Sequence, residues 1–271
     1  MFRRSTLALC ASLSHPARRF LLLFSLALAL VGCGAAFQST PTTPERDYTT
    51  LTQISTYGAL QAGGFDGDTT FAEVAQYGDF GLGTFDHLEG EMIALDGVFY
   101  RGLVDGSVQI VEPSVETPFA NIHFFQTDRQ INATVPISDM QHLTTYLSAQ
   151  LPSLNRPYGF RISGLFSTLK YRSVARQSQP YPTLQEAIAG QLVFEVQNIR
   201  GTLVGYYLPE YLSSISLPGY HFHFISEDKQ RGGHTLDMSF IEGSIEIDYL
   251  ENVKLIIPQS DAFQQKNFRK P

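Results

Sequence analysis

Along most of the chain, apolar and polar positions alternate with a period of two, interrupted by short turn signals. Residues 91–101 alternate about Asp96-Gly97 and predict a β-hairpin. Asp105-Gly106 predicts a further turn before a strand at 108–111. Residues 121–125, 161–166 and 192–196 read as more strands, and 201–207, 220–225, 235–241 and 243–249 follow in close succession. Helical spacing is rarer. Met140, Leu143, Leu147 and Leu151 predict a helix capped by Ser138 or Asp139. Thr183 can cap a second helix through Leu184, Ala187 and Ile188, and residues 69–77 form a shorter third candidate. Many short strands and few helices predict an α+β fold of mainly antiparallel or mixed β-sheets.

The N-terminus follows a different rule. Residues 20–31 are an apolar run behind Arg18 and Arg19, ending in Leu30-Val31-Gly32-Cys33. The run is shorter than the roughly 20 residues a membrane-spanning helix needs, and its basic flank reads as a secretory signal. The four residues ending at Cys33 resemble the lipobox of bacterial lipoproteins, which implies a lipid anchor at Cys33. We therefore divide the chain into a lipoprotein-type signal peptide at 1–32, a tether at 33–50 rich in Thr, Pro and Ser, and a main domain at 51–271. The expected location is exported and membrane-anchored, periplasmic or at the cell surface. Cys10 and Cys33 are the only cysteines, so the domain is expected to fold without a disulfide, as its size permits.

Composition sharpens this picture in one respect. The chain has 271 residues, with 19 basic and 26 acidic side chains and a formal charge of −7. Residues 1–32 hold four of the basic residues and no acidic one, so the rest carries 15 against 26, or −11. Such an acidic body lacks the basic stripe that a nucleic-acid partner requires.

The candidate chemistry lies in Gly219-Tyr220-His221-Phe222-His223-Phe224-Ile225 and in Arg231-Gly232-Gly233-His234. On a strand, His221 and His223 share one face, and Phe222 and Phe224 share the other. A hairpin symmetric about Asp228-Lys229 places His223 directly opposite His234, and directly opposed residues share a face. An His-x-His pair alone is an ordinary polar strand face. A third histidine in matched register turns it into a candidate metal site, and three imidazoles around an open position suit catalytic zinc. Of the other histidines, His15 lies in the signal. His87, His123 and His142 read as surface or locally bonded residues, with His87, four residues before Glu91, the hardest to set aside. Glu89 and Glu91 are expected to point the same way on a strand.

The chain resembles the α-acetolactate decarboxylase family from about residue 53 to 263. The resemblance rests on the segments GDFGLGTF (78–85), EGEM (89–92), YRSV (171–174) and GYHFHFISEDKQRGGH (219–234). It implies two closely packed halves, a mixed sheet and a barrel-like sheet, with the metal between them. It further implies a zinc-dependent carboxy-lyase that converts 2-acetolactate to acetoin and carbon dioxide through a zinc-stabilised enediolate, and a homodimer. By the same match His221, His223 and His234 correspond to the zinc ligands, Glu91 to the active-site glutamate, Arg172 to a substrate-contacting arginine and Thr84 to a polar pocket residue. The family's C-terminal tail glutamate has no counterpart after Glu251. That departure keeps a rival reading open, a non-catalytic zinc-binding lipoprotein on the same fold. An iron oxygenase is a weaker alternative, because its two-His-one-carboxylate set is not visible.

Overall fold

The computed structural model describes residues 46–134 and 136–268. The apolar run, both cysteines and nearly all of the tether lie outside these residues. Among the described residues, no helix is long and apolar enough to cross a membrane.

A first, seven-stranded sheet is built from β1 (Thr50–Ile54), β3 (Phe80–Thr84), β4 (Glu91–Leu95), β5 (Val98–Gly102), β6 (Val108–Ile110), β8 (Ala120–His123) and β14 (Asn252–Ile256). Its order is β14-β1-β8-β3-β4-β5-β6, antiparallel throughout except for the parallel β1–β14 pair. The second sheet contains β9 (Arg129–Ala133), β10 (Tyr158–Ser173), β11 (Leu192–Leu208), β12 (Gly219–Ser226) and β13 (Gly232–Tyr249). Its pairings β10–β11–β12–β13–β10 close on themselves, forming a small barrel with β9 added outside. Two short strands, β2 (Thr69–Thr70) and β7 (Glu116–Thr117), pair separately. The helices are α1 (Tyr57–Gln61), α2 (Phe71–Val74), α3 (Met140–Gln150), α4 (Leu184–Ile188) and α5 (Asp261–Gln265).

The caps follow the expected chemistry. Asp139 accepts from the His142 amide at the start of α3, and Thr70 and Thr183 each form a capping box with a glutamate three residues on. The third helical stretch is shorter than its pattern, because Thr69 and Thr70 pair with β7 and the helix begins only at Phe71. Several strands are longer than their patterns. Residues 192–196 and 201–207 join into β11, although Asn198 lies in the left-handed region at φ 50°. The ladder with β10 skips one pair there and resumes, so the neighbouring strand carries the chain across the irregularity. Residues 235–241 and 243–249 join into β13 in the same way.

Period-two burial sorts the strands between two cores. Phe222 and Phe224 face the barrel interior, packed with Phe160, Phe166 and Phe240 and closed by Leu143 and Leu147 of α3. On β4, Met92 and Ala94 face α2, whereas Ile93 and Leu95 pack against Val204 and Ile225 of the barrel. The two sheets therefore meet through a shared apolar layer, and the polar site lies along it. One glycine keeps β11 and β12 close on the interior side of the barrel. A Cβ on Gly205 would sit 2.1 Å from Phe222 Cδ1 and 2.5 Å from the His221 carbonyl. Gly205→Ala is expected to lose about 1–3 kcal/mol of stability, read as a lower denaturant midpoint, because β12 cannot retreat without unpacking the barrel. An unchanged midpoint would show that β12 is free to move.

Candidate metal centre

The hairpin from β12 to β13 has the expected register: His223 pairs with His234, Phe224 with Gly233 and Ile225 with Gly232. Ser226 closes the loop, accepting the amides of Gln230 and Arg231 and donating to Asp228, while Lys229 takes the left-handed conformation at φ 58°. This local chemistry fixes the loop length and hence the pairing of the two histidines. The three imidazole rings lie with centroids 4.9–5.3 Å apart, and each offers a nitrogen within 4.8 Å of the others.

Several observations fit this trio to a metal. His223 Nδ1–H donates to the Met92 carbonyl at 2.8 Å, which leaves Nε2 bare and fixes the ring. His221 Nε2 and His234 Nδ1 stand 3.1 Å apart. Burial, with the Arg172 charge adding to it, pushes His221 down to about 3 and holds His223 and His234 well below the ordinary imidazole range. The rings therefore stay neutral and keep the lone pairs a cation needs. His221, His223 and His234 are the residues that would hold a metal ion.

The first sheet supplies the opposite wall. Glu91 opens β4 directly across from Thr84 at the end of β3. Its Oε1 accepts from Arg172 at 2.8 Å, and its Oε2 lies 3.6 Å from His223 Nε2. Burial raises the Glu91 carboxyl above the usual carboxylate value, with Arg172 pulling the other way. Arg172 lies near the end of β10, paired in register with His234. It is a largely buried partner of Glu91 and not a surface ion pair. Thr84 lines the same cavity, but its hydroxyl donates to the Gly90 carbonyl at 2.8 Å. Its hydroxyl proton is thereby committed to the turn that presents Glu91.

Two expectations are corrected. Glu89 does not share a strand face with Glu91, because Gly90 takes φ +90° and β4 starts only at Glu91. Glu89 instead pairs with Arg101 and Arg176, outside the cavity. His123 is neither superficial nor locally bonded. It is wholly buried between the sheets, bonded to Tyr206 at 2.8 Å and to Asp248 at 3.2 Å. His142 does sit on the surface beside Ser138.

All six candidate site residues line one cavity of about 350 Å³. The cavity also has an apolar side, to which Tyr57, Leu60, Leu88, Phe119, Leu184 and Ile188 contribute. Sequence reasoning missed these residues, because they come from short helices and turns scattered over 130 positions and carry no shared period. Among the described lining residues, Glu91 is the one carboxylate.

A family profile described as Alpha-acetolactate decarboxylase matches residues 51–270. The chain belongs to the alpha-acetolactate decarboxylase family. An alpha-acetolactate decarboxylase of Methanosarcina mazei is 41% identical over 213 residues, covering 79% of this chain and 74% of the relative. Another, from Bacillus subtilis, is 38% identical over 221 residues, covering 81% and 86%. The crystal structure of alpha-acetolactate decarboxylase from Bacillus subtilis strain 168 superposes with a TM-score of 0.79 at 36% identity, covering 82% of this chain and 94% of that one. As a member of the alpha-acetolactate decarboxylase family, this chain is a decarboxylase with a small-molecule substrate. The mixed sheet packed on a small barrel is the family's fold.

Proposed function

We propose that this decarboxylase converts 2-acetolactate to acetoin and carbon dioxide with zinc held by His221, His223 and His234. The observation that carries the reading is the convergence of three neutral imidazoles with the Glu91–Arg172 pair in one cavity, in a chain of this family. When bound, zinc supplies a Lewis acid for the negative charge that grows on the substrate oxygens as the carboxylate leaves.

The chain's own groups cover the remaining needs. Arg172 has five N–H donors and gives one bond to Glu91, leaving others to grip the substrate carboxylate and set the breaking bond across the ketone plane. Cleavage releases carbon dioxide and leaves an electron pair on the former α-carbon, which must take up one proton. Glu91 is the group placed to deliver it, and burial keeps its carboxyl protonated to higher pH than an exposed glutamate. The apolar side of the cavity receives the substrate's methyl groups and excludes water. The basic flank, apolar run and Leu30-Val31-Gly32-Cys33 support an exported enzyme tethered at Cys33.

Removal of metal tests the reading directly. Full-length protein treated with a chelator is expected to stop releasing acetoin from racemic 2-acetolactate and to recover on addition of Zn²⁺. Activity that survives complete metal removal, or none in zinc-loaded protein, would overturn it.

A further inference from the structure

Tyr57 opens α1 and lines the cavity, and the steps assigned to Arg172 and Glu91 do not use its hydroxyl. The residue is held from three sides. Thr56 caps the helix by accepting the Ala59 amide at 3.1 Å, and Tyr57 N donates to the Ile215 carbonyl at 2.8 Å. Gln53 Nε2 donates to the same carbonyl at 2.7 Å. The start of α1 is thereby tied to the segment that runs through Leu217, itself a cavity residue, into β12 and its histidines. The Tyr57 ring meets Phe119 edge-on, with centroids 6.3 Å apart and planes at 61°.

The ring belongs to the apolar side of the cavity, whereas the hydroxyl stands in the field of the Arg172 guanidinium. Burial raises the half-buried phenol above its ordinary value, with Gln61 and the Arg172 charge pulling the other way. The hydroxyl therefore keeps its proton at neutral pH and is available as a donor.

A substrate carboxylate gripped by Arg172 needs such a donor. Its two oxygens together accept about four hydrogen bonds. Arg172 already has Nη1 on Glu91 at 2.8 Å, so it meets the carboxylate with only part of its fork. A lone pair left facing Leu60, Leu88 or Phe119 would cost affinity, because a buried anion without partners gives up its hydration uncompensated. Most other polar groups of the cavity are engaged. Thr84 donates to the Gly90 carbonyl, His223 donates to the Met92 carbonyl, and the three imidazoles converge on one another. Among the described lining residues, Tyr57 and Gln191 remain as donors. Gln191 follows α4 and its apolar residues Leu184 and Ile188, whereas the Tyr57 hydroxyl stands by Arg172.

We propose that Tyr57 is a substrate-positioning residue whose hydroxyl donates a hydrogen bond to the carboxylate of the bound 2-hydroxy-3-keto acid, beside the grip of Arg172. The bond serves binding more than turnover. The carboxylate sheds its charge as it leaves as carbon dioxide, so a donor to it holds the bound substrate at least as firmly as the transition state.

The choice of substrate rests on the decarboxylase reading, and the experiment separates the two. Zinc-loaded wild type, Tyr57→Phe and Gln191→Leu are titrated by calorimetry with two small ligands. One is 2-hydroxy-2-methylpropanoate, which has the hydroxyl and the carboxylate but no ketone, and so is not turned over. The other is acetoin, which has the hydroxyl and the ketone but no carboxylate. Tyr57→Phe keeps the ring against Phe119 and is expected to unfold at the wild-type denaturant midpoint. Its affinity for 2-hydroxy-2-methylpropanoate is expected to fall about tenfold or more, the worth of a hydrogen bond to a charged group, while its affinity for acetoin stays within about twofold. KM for 2-acetolactate should rise in the same proportion, with kcat not lowered. Equal losses for both ligands would mean a packing role, and unchanged affinity for the carboxylate would leave the hydroxyl without one. A loss seen in Gln191→Leu alone would give the bond to Gln191, and wild type that ignores the carboxylate ligand would have no such subsite. Each of these overturns the proposal. If zinc-loaded wild type makes no acetoin from 2-acetolactate, the reaction is wrong and the two binding affinities decide the role of Tyr57 alone.

Discussion

Glu91→Gln is expected to keep zinc at wild-type stoichiometry while lowering kcat by about 10²–10⁴-fold, the usual worth of a positioned proton donor. Glutamine preserves the shape of the side chain and can still face Arg172, so the cavity stays formed. What it removes is the ionisable proton that the proposed mechanism delivers to the reacting carbon. The pH profile sharpens the test. Burial raises the Glu91 carboxyl above its ordinary value, so the protonated, active form is full at low pH and disappears as pH rises through that raised value. The wild-type kcat should therefore fall on the alkaline side, and the variant should show no such limb. A zinc-binding protein without catalysis would have no turnover to lose. Unchanged kcat, or zinc lost together with activity, would take the proton-donor role from Glu91.

His234→Ala should have a larger effect on metal than on the fold. The change leaves two imidazoles where three converged, and zinc affinity is expected to drop by about a hundredfold or more, with acetoin formation abolished. The barrel should survive. Its interior is filled by Phe160, Phe166, Phe222, Phe224 and Phe240 on the opposite face of the strands, and none of these touches the metal side. Metal content after dialysis and a thermal unfolding curve separate the two effects. Retention of zinc at wild-type stoichiometry would mean that His234 is not a ligand. Collapse of the fold without zinc would mean that the barrel depends on the metal.

The trio of histidines was legible in the sequence because strands alternate and hairpins have fixed registers. His221 and His223 declared a common face, and the turn residues between Ser226 and Arg231 set the partner of His223. Glu91 was legible as the first residue of a hairpin strand. The neighbourhood of Glu89 was not, because a single left-handed glycine decides where β4 begins. The partnership of Arg172 with Glu91 spans 81 residues and depends on how the barrel sits against the first sheet, which no local pattern encodes. His123 was misjudged for a related reason. Its partners Tyr206 and Asp248 come from the opposite sheet, and a buried histidine becomes tolerable only once they arrive. The apolar wall was the least visible feature, since its residues are ordinary core types until a turn aims them at a cavity.

The hairpin between β12 and β13 has one more consequence, which concerns redundancy more than chemistry. Its loop tolerates changes of sequence wherever Ser226 and Asp228 keep their bonds, and those bonds hold the turn at its present length. A one-residue slip of β13 against β12 would turn His234 to the far side of β13, among the phenylalanines, and put Gly233 or Thr235 where a ligand should stand, and the β10 ladder, which pairs Arg172 with His234, is the second hold against it. The site is thus spelled twice, once by the turn and once by the β10 ladder, and the three ligands keep their common face through both.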